Sequence, residues 1–503
     1  MKKIIKNPWF LLIVIFLIAS FLRFYDITKT PPGFYPDEAI NANNGVEAWE
    51  TGHLKVFYPE NNGREGLWMN IVGFFVFKFG HEPWIPRAVA AMFGLFTVLG
   101  VYFLTKELFS RKIALLSSFF IATSFWHINF SRISFRAILA PAFLVWGLFF
   151  LLKTLNQAKN NSQSPIHDSQ TNWKLEIKNW LLPLLAGAVY GLGFHTYIAY
   201  RVTPVLILAI ILFYWFGNKE KSYRQKIIIP IACFLISALM VAAPLLWYFL
   251  KNPQDFLGRT SQISVFSSPS PVKTLGMNIL KTAGMFNFAG DSNWRHNYPS
   301  QPELFWPVGV LFLFGSFLGI RSMIKKTKIM EFAVLFGWLA LAALPVIISD
   351  EGLPHALRAI LMIPPILILA GIGGICLYKF LAIKIKNQGA FNIFVFIFLS
   401  LLFFEAYTTY FILWGQNPNT AGAFNQNYVV IGQQLNALPK ELPKYVIVKA
   451  SGALVRSIPM PAETVIFITD TFTPEKQKEK NIFYILPEQV NQIPPGAFRI
   501  ELN

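Results

Sequence analysis

The sequence predicts an α-helical polytopic membrane protein with a small α/β domain at its carboxyl end. Hydrophobic residues make up 54% of the 503 residues and charged residues only 14%, a balance typical of a chain that lies largely in lipid. Long apolar runs recur along residues 1–414, whereas residues 415–503 alternate short apolar segments with polar turns. These two observations divide the chain into a membrane domain and a smaller soluble domain.

Eleven apolar runs in the membrane domain approach the length of a bilayer crossing, which requires about 20 residues of helix. The first follows a basic segment, as in a signal peptide, but no clear small-residue cleavage site follows it, so we expect it to remain as a span. The predicted spans cover about 8–25, 88–105, 113–130, 137–155, 180–197, 202–217, 227–249, 305–321, 329–348, 359–379 and 391–413.

Residues 67–79 form a shorter apolar run whose interpretation affects the whole topology. At about 13 residues the run is short for a crossing, so we expect an amphipathic helix lying at the membrane interface. The alternative is a further span. That alternative would invert every later loop and would place the basic segment KELFSRK outside the cell.

Basic residues orient the chain in the membrane. The net charge of +18 would favour nucleic acid as a partner in a soluble protein, but here the lysines and arginines lie mostly in short loops between apolar runs. By the positive-inside rule those loops face the cytoplasm. We therefore expect a multi-pass cell-membrane protein without a nucleic-acid partner. Its outer loops are 26–87, 131–136, 197–201, 250–304 and 349–358.

The carboxyl-terminal segment 415–503 is expected to be a soluble extracytoplasmic domain. The segments KYVIVKA, TVIFITD, NIFYILP and AFRIELN have the β-branched and aromatic composition of short strands, and YVVIGQQLNAL has that of a helix. Turn-forming residues and the charged run PEKQKEKN separate these segments. An α/β fold of about 90 residues follows from this pattern.

An adjacent pair of acids, Asp37 and Glu38, is the strongest candidate for chemistry. The pair follows Pro36 in the first outer loop and precedes AINANNGVEAW, a plausible helix. The simplest interpretation is that proline opens the helix and the acids lie in its first turn, where the dipole favours them. This interpretation is compatible with a catalytic role, because a helix start also holds a carboxylate in a fixed position, where it can act as a base.

Arg64 and Glu65 end the same loop, directly before the apolar run 67–79. An arginine here either extends toward lipid headgroups or binds a lipid phosphate, since its planar guanidinium suits two oxygens at once. Other outer loops carry further candidates for binding an anionic or sugar ligand. They are Arg132, Arg136, His195, Tyr197, Tyr200, Arg201, Asp291, Trp294, Arg295, His296, His355 and Arg358.

Common cofactor motifs are missing from the sequence. No phosphate-cradling glycine loop, HExxH metal site or GxSxG elbow occurs. The two cysteines, Cys233 and Cys376, each lie inside an apolar run, so neither a disulfide nor a thiolate metal site is expected. The sequence implies no particular cofactor; it leaves a divalent cation open but gives no support for one.

The first loop with its PDEA motif, the REGL segment before an apolar run, the SRISFR turn and PHALR together resemble bacterial members of glycosyltransferase family 39. These are the protein O-mannosyltransferase and aminoarabinose transferase relatives within the class C fold of membrane-embedded glycosyltransferases. The resemblance covers about residues 8–380. It implies inverting transfer of a sugar from a polyprenyl phosphate to a protein, lipid or glycan acceptor on the outer side of the membrane.

The resemblance also implies roles for individual residues. Asp37 matches the family's presumed base, and Glu38 would be the neighbour that orients the acceptor. Arg64 occupies the place of a basic residue that holds the donor phosphate, although Glu65 and Gly66 replace the usual prolines. Arg201 resembles a second phosphate ligand.

Relatives often carry an aspartate just after the second-loop arginine, and this chain has Ala137, Ile138 and Leu139 there. The remaining donor-phosphate candidates are Arg132, Arg136 and Arg358; the substrate-binding candidates are Glu65, His195, Tyr197, Tyr200, Asp291, Trp294, Arg295, His296 and His355.

Two other functional classes fit parts of the sequence. A transporter or flippase of lipid-linked sugars would also need cationic residues near the membrane, but transporters tend to carry charges at mid-bilayer and internal repeats, which are not evident here. A scaffold whose tail 415–503 binds a partner is the second alternative. The placement of the charges at the outer rim favours the enzyme.

Overall fold

The computed structural model describes residues 7–163, 173–217, 221–256, 265–267, 269–350 and 352–503. Within them the chain is mostly helical. The longer helices are α1 (Pro8–Phe24), α2 (Pro36–Thr51), α3 (Leu67–Phe79), α4 (Trp84–Leu108), α5 (Arg111–Thr123), α6 (Phe125–Arg132), α7 (Leu139–Gln163), α8 (Trp173–Leu192), α9 (Thr203–Gly217), α10 (Lys221–Lys251), α11 (Pro271–Gly284), α12 (Trp306–Ile324), α13 (Ile329–Ile347), α14 (Ile363–Lys384) and α15 (Gln388–Tyr407).

Each of the eleven predicted spans coincides with helical structure. In the part of the chain that the structure describes, eight helices are long and apolar enough to cross a membrane, or nine if the bent pair α5 and α6 is one span. The other two predicted spans correspond to shorter apolar helices, Pro8–Phe24 and Trp180–His195. The chain is a polytopic membrane protein. The length and composition of its described helices support eight or nine membrane crossings, whereas the sequence pattern predicted eleven.

The predicted span 113–130 is not a continuous helix. The chain breaks at Ser124, which is extended, and the axes of α5 and α6 differ by 59°. The Ser124 hydroxyl accepts a hydrogen bond from the backbone N–H of His127, so a serine caps the second helix. Arg132, at the end of α6, and Arg136, in the turn that follows, both contact the first outer loop, at the carbonyl of Thr30 and at Glu65.

The core lies around α4, α7 and α14, whose apolar stretches are largely buried, whereas α10 and α15 expose most of theirs. The exposed side chains are large and apolar, Leu239, Met240 and Phe396 among them. A contiguous apolar exterior of this kind is expected of helices that face lipid.

The first outer loop folds into α2, a small antiparallel hairpin and α3. The hairpin pairs β1 (Phe57–Tyr58) with β2 (Arg64–Glu65). Helices α2 and α3 touch at Gly45 and Gly73, where a β-carbon on either glycine would collide with backbone atoms of the other helix. The predicted helix over 67–79 is confirmed. It buries Trp68 and Val72 and exposes three phenylalanines, Phe74, Phe77 and Phe79.

The carboxyl-terminal domain contains a parallel three-stranded sheet in the order β6–β3–β7. Its strands confirm three of the four predicted strand segments. The sheet and its flanking elements are β3 (Lys444–Val448), β4 (Leu454–Val455), β5 (Ile458–Pro459), β6 (Ile482–Ile485), β7 (Phe498–Leu502), α16 (Pro418–Ala423), α17 (Gln426–Ala437), α18 (Glu463–Thr469) and α19 (Pro474–Lys480).

The prediction of a strand over TVIFITD is wrong, because these residues form most of α18. The segment is buried on almost every side, and a short buried run shows no period that separates helix from strand. The charged run after it, which separates two of the predicted segments, forms α19, which Thr473 caps by accepting a hydrogen bond from the backbone N–H of Lys476.

Helix α18 packs against α2 and joins the carboxyl-terminal domain to the first outer loop. The Asn43 side chain donates to Glu463 Oε2 at 2.7 Å, and the Thr464 hydroxyl donates to the carbonyl of Phe34 at 2.8 Å. Arg456 adds an ion pair with Glu47 at 2.6 Å. The domain therefore covers one side of the loop that carries the candidate acids.

Candidate functional site

Asp37 lies in the first turn of α2 and is half-buried. Its Oδ1 accepts one hydrogen bond, from the Asn61 amide at 2.7 Å. Asn61 belongs to the hairpin turn Asn61–Asn62–Gly63, in which all three residues have positive φ. Asparagine and glycine are the residues that adopt this conformation most readily. The sequence NNG thus builds the turn that holds a hydrogen-bond donor against Asp37.

Glu38 is fully buried and has a different environment. Its two oxygens pair with the guanidinium of Arg87, each at 2.9 Å. They also accept from the backbone N–H groups of Ser134 at 2.8 Å and Tyr35 at 3.1 Å. Four donors occupy this carboxylate, so Glu38 fixes the start of α2 to α4 and to the turn after α6.

The face of α2 that carries Asp37 continues as a polar stripe. Asn41 and Asn44, four and seven residues further on, accept from the two terminal nitrogens of Arg64 at 2.7 and 2.6 Å. Burial and then the positive charge of Arg136 lower the pKa of Arg64 to about 10, while the nearby Asp37 acts in the opposite direction. Asp37 therefore faces a region of positive potential.

Glu65 joins two arginines that come from distant loops. Its carboxylate contacts Arg136 at 2.7 Å and Arg201 at 3.0 Å. Burial alone would raise the pKa of Glu65, but the two guanidinium groups outweigh it and the pKa is lowered. Glu65 thus joins the predicted residues Arg136 and Arg201 in one network, and Arg64 lies close enough to both Arg136 and Asp37 for their charges to shift its pKa.

Aromatic rings line this network. Arg136 lies over the ring of Tyr197, with 5.7 Å from its guanidinium carbon to the ring centroid. Arg201 lies near the rings of Phe249 and Phe256, at 4.8 and 4.7 Å, and one fifth of its side chain is exposed. Contacts with these rings help to hold the guanidinium in position.

A second cluster lies on the loops around 291 and 355. Asp291 Oδ2 is 2.9 Å from His296 Nδ1 and 3.9 Å from His355 Nδ1. Burial lowers the pKa of His296, which favours the neutral imidazole, although Asp291 acts against this shift. Arg358 is close enough to His296 to contribute to the same shift and donates to the Ser349 hydroxyl.

Arg295 connects the second cluster to the first. Its guanidinium carbon lies 4.0 Å from the ring centroid of Tyr35, two residues before Asp37. The pKa of Tyr35 is raised by burial and by Asp37, against the opposing effect of Arg295. The arginine's backbone carbonyl accepts from the Asn129 amide at 2.8 Å. Loop 290–298 is therefore anchored next to the candidate acid.

Four other predicted residues have contacts of a structural kind. Arg132 is buried and donates to the carbonyls of Leu22 and Thr30. The imidazole of His195 bonds the carbonyl of Val241 at 2.9 Å, and the Tyr200 hydroxyl donates to the carbonyl of Tyr190. The carbonyl of Trp294 accepts from the Trp414 indole.

Sequence reasoning missed Arg87, the partner of Glu38, and Glu463, the partner of Asn43. Neither lies in a distinctive motif: Arg87 is the last residue of the predicted first outer loop, directly before the span 88–105, and Glu463 lies 420 positions from its partner. The polar spacing of Asp37, Asn41 and Asn44 was a usable signal, since residues at i, i+4 and i+7 share one face of a helix.

No protein-family model matches this chain, and no curated protein sequence does. Solved structures match its fold. An archaeal oligosaccharyltransferase, AglB from Archaeoglobus fulgidus in complex with an inhibitory peptide and a dolichol-phosphate, aligns with a TM-score of 0.55 at 13% identity, covering 96% of this chain and 70% of that chain. ArnT from Cupriavidus metallidurans bound to undecaprenyl phosphate gives a TM-score of 0.53 at 13% identity, with coverages of 97% and 89%.

ArnT in the apo state gives a TM-score of 0.51 at 14% identity, with coverages of 91% and 84%. Likenesses at these identities concern the fold. The chain has the class C fold of membrane-embedded glycosyltransferases, and that part of the resemblance noted in the sequence is confirmed.

Proposed function

We propose that this protein is an inverting glycosyltransferase that moves a sugar from a polyprenyl-phosphate donor to a protein, lipid or glycan acceptor. The observation that carries the proposal is the half-buried Asp37, held by one amide beside the network of Arg64, Arg136 and Arg201. Support also comes from proteins of similar fold whose structures hold dolichol-phosphate and undecaprenyl phosphate.

Asp37 is the proposed base. Inverting transfer requires a carboxylate that takes the acceptor's proton on one face of the sugar while the phosphate leaves from the other. Only one hydrogen bond to Asp37 is found among the described residues, so a carboxylate oxygen remains to accept from an acceptor hydroxyl or amide. Glu38 acts as a positioning residue, because all its contacts hold the helix start.

Arg201 and Arg136 are the proposed donor-phosphate ligands, with Arg358 as a third from the neighbouring loop. Arg201 is the most accessible arginine of the network and lies against the rings of Phe249 and Phe256. The leaving phosphate gains charge as the glycosidic bond breaks, and fixed guanidinium groups stabilise that charge. Glu65 holds both arginines in place, and a phosphate would compete with it for their N–H groups.

Arg64 contributes to the proposed site through the electrostatic effect of its positive charge. Its three nitrogens already donate to Asn41, Asn44 and the carbonyl of Glu60. Arg132 anchors the segment that leads into the first loop. Tyr197 and Arg295 line the region between the arginines and Asp37, where we place the sugar.

The proposed active site faces the extracytoplasmic side of the cell membrane. Helix α4 begins at Trp84, next to the first loop, and its 25 residues extend about 37 Å to the basic segment around Lys106 and Arg111. That distance exceeds the hydrocarbon thickness of roughly 30 Å. The basic segment therefore lies on the opposite side from Asp37, and the positive-inside rule assigns it to the cytoplasm.

The proposal is tested by incubating purified protein in liposomes with a panel of polyprenyl-phosphate sugars and candidate acceptors, with products identified by mass spectrometry. We expect transfer from at least one donor and its loss in Asp37→Asn. The matched control is Glu479→Gln, which neutralises an exposed acid far from the site. Translocation of intact donor across the liposome without transfer, unchanged in Asp37→Asn, would identify a transporter instead.

A further inference from the structure

We propose that Asp291, His296 and His355 form a binding site for a divalent transition-metal ion of the zinc class. One ligand atom from each residue lies within 4.8 Å of the other two. An ion about 2.1 Å from each ligand atom holds neighbouring ligands roughly 3.0–4.0 Å apart. The 3.9 Å between Asp291 Oδ2 and His355 Nδ1 agrees with this spacing, whereas the 2.9 Å between Asp291 Oδ2 and His296 Nδ1 is a hydrogen bond that a bound ion would replace.

The carboxylate at the centre of the cluster is held by the backbone. Asp291 Oδ1 accepts from the N–H of Asn293 at 2.8 Å, and Oδ2 accepts from the N–H of Ala356 at 2.9 Å. The N–H of Asp291 donates to Glu303 Oε1 at 2.9 Å. Hydrogen bonds to a ligating carboxylate fix its orientation before an ion binds, as outer contacts do in metalloproteins.

The ligand types select the metal. Two imidazoles and one carboxylate are a set that Zn²⁺ uses with an open fourth position. Imidazole nitrogen suits zinc, cobalt, nickel and copper, whereas Mg²⁺ and Ca²⁺ prefer oxygen ligands throughout. We therefore expect the site to bind Zn²⁺ or Co²⁺ and to discriminate against Mg²⁺.

The charges around the cluster determine what fills the open position. Arg295 and Arg358 lie close enough to act on His296, and Glu303 lies next to Asp291. A bound dication beside two guanidinium groups favours an anion as the fourth ligand, and inorganic phosphate is the simplest probe.

A metal ion at this position would link two outer loops that lie about 60 residues apart in the sequence. One of them carries Arg295, which packs on Tyr35 beside Asp37, and the other carries Arg358. The ion would thus fix the wall of the proposed active site. The binding inference itself stands on the ligand geometry and does not depend on glycosyl transfer.

The test uses the full chain purified without a polyhistidine tag, stripped with a chelator and titrated with Co²⁺. We expect one ion per chain, a visible absorption band typical of nitrogen-bound Co²⁺, and a change in that band on adding phosphate. His355→Ala should abolish binding, and because His355 is only half-buried the variant should still fold. His53→Ala, which removes an exposed histidine outside the cluster, is the matched control.

Asp291→Asn is the second variant, since its amide keeps the size and one oxygen of the carboxylate. Loss of Co²⁺ binding in both cluster variants, with unchanged binding in His53→Ala, supports the site. The inference is overturned if the unaltered chain binds no Co²⁺ or Zn²⁺ at micromolar concentration. It is equally overturned if His355→Ala and Asp291→Asn bind as much metal as the control.

Discussion

The two faces of helix α2 differ in how completely their acids are paired. Glu38 is buried and accepts from four donors, two of them on the buried Arg87. Asp37, one residue earlier, is half-buried and accepts from a single amide. A buried carboxylate whose oxygens all accept hydrogen bonds holds neighbouring elements together but has no oxygen left for a substrate. A carboxylate with fewer partners can accept a substrate proton. This comparison supports the proposal that Glu38 has a structural role and Asp37 a chemical one.

The largest expected effect is on turnover in Asp37→Asn. Removing a general base typically reduces the rate by about 10²–10⁴-fold, and we expect a loss of that order. Stability should change by less than about 1 kcal/mol, because the Asn side chain can still accept from Asn61. Initial rates and thermal unfolding of the same preparation measure both. Full activity in this variant would remove Asp37 from the mechanism.

Glu38→Gln should have the opposite profile. Neutralising one member of a buried pair leaves Arg87 as an uncompensated buried charge, which typically costs about 3–5 kcal/mol. We expect a lower unfolding temperature, measured in detergent by intrinsic fluorescence. The rate constant of the fraction that remains folded should fall much less than in Asp37→Asn. An unchanged unfolding temperature would contradict the structural role.

Glu463 is a third acid with an intermediate environment, buried and paired with the Asn43 amide. Burial raises its pKa to about 7 from an ordinary value of 4.5. Between about pH 4.5 and 7 the Glu463 carboxyl group is therefore protonated in the folded state but ionised in the unfolded state. Its contribution to the free energy of unfolding is largest below pH 4.5 and declines as the pH rises to 7.

Glu463→Gln removes this dependence, because the amide does not ionise. At pH 8 the variant should be more stable than the unaltered chain, by up to about 3 kcal/mol, and at pH 4.5 the two should be similar. Unfolding temperatures at pH 5, 6, 7 and 8 measure the difference. Parallel profiles for the two proteins would show that Glu463 is ionised throughout.

The smallest effect is expected for Lys449→Met. Lys449 and Glu501 form an ion pair at 2.6 Å, but both side chains are more than 40% exposed. Exposed pairs of this kind contribute about 0–1 kcal/mol. The unfolding temperature should thus stay within about 2 °C of the original. A shift in unfolding temperature as large as that of Glu38→Gln would mean that burial does not explain why the Glu38 ion pair stabilises the fold more than the Lys449–Glu501 pair.

The sequence predicted the positions of the helices well, because a bilayer crossing requires a long apolar run and the runs are visible directly. The break at Ser124 was not predictable from hydropathy, since both halves of the bent pair are equally apolar. Helix α18 was mistaken for a strand for a related reason. Its residues are buried on all sides and lack the periodicity that distinguishes the two structures.

The candidate site was predicted in part. Outer loops were expected to bring acids and arginines together, and Glu65 does meet Arg136 and Arg201. Spacing along the chain could not show that Glu38 faces Arg87, because the two meet only after α2 and α4 have packed. The grouping of Asp291 with His355 was likewise invisible, since loop positions in the sequence do not fix which side chains converge.

The hydrogen bond between Asn43 and Glu463 spans 420 residues, and this separation has a consequence for biogenesis. The first outer segment leaves the translocation machinery long before the ribosome has made its partner helix. Until that helix emerges, Asn43 has no carboxylate to bond and the α2 surface beneath α18 stays open to solvent. The packing of α18 against the first loop can therefore form only after nearly the whole polypeptide has been synthesised.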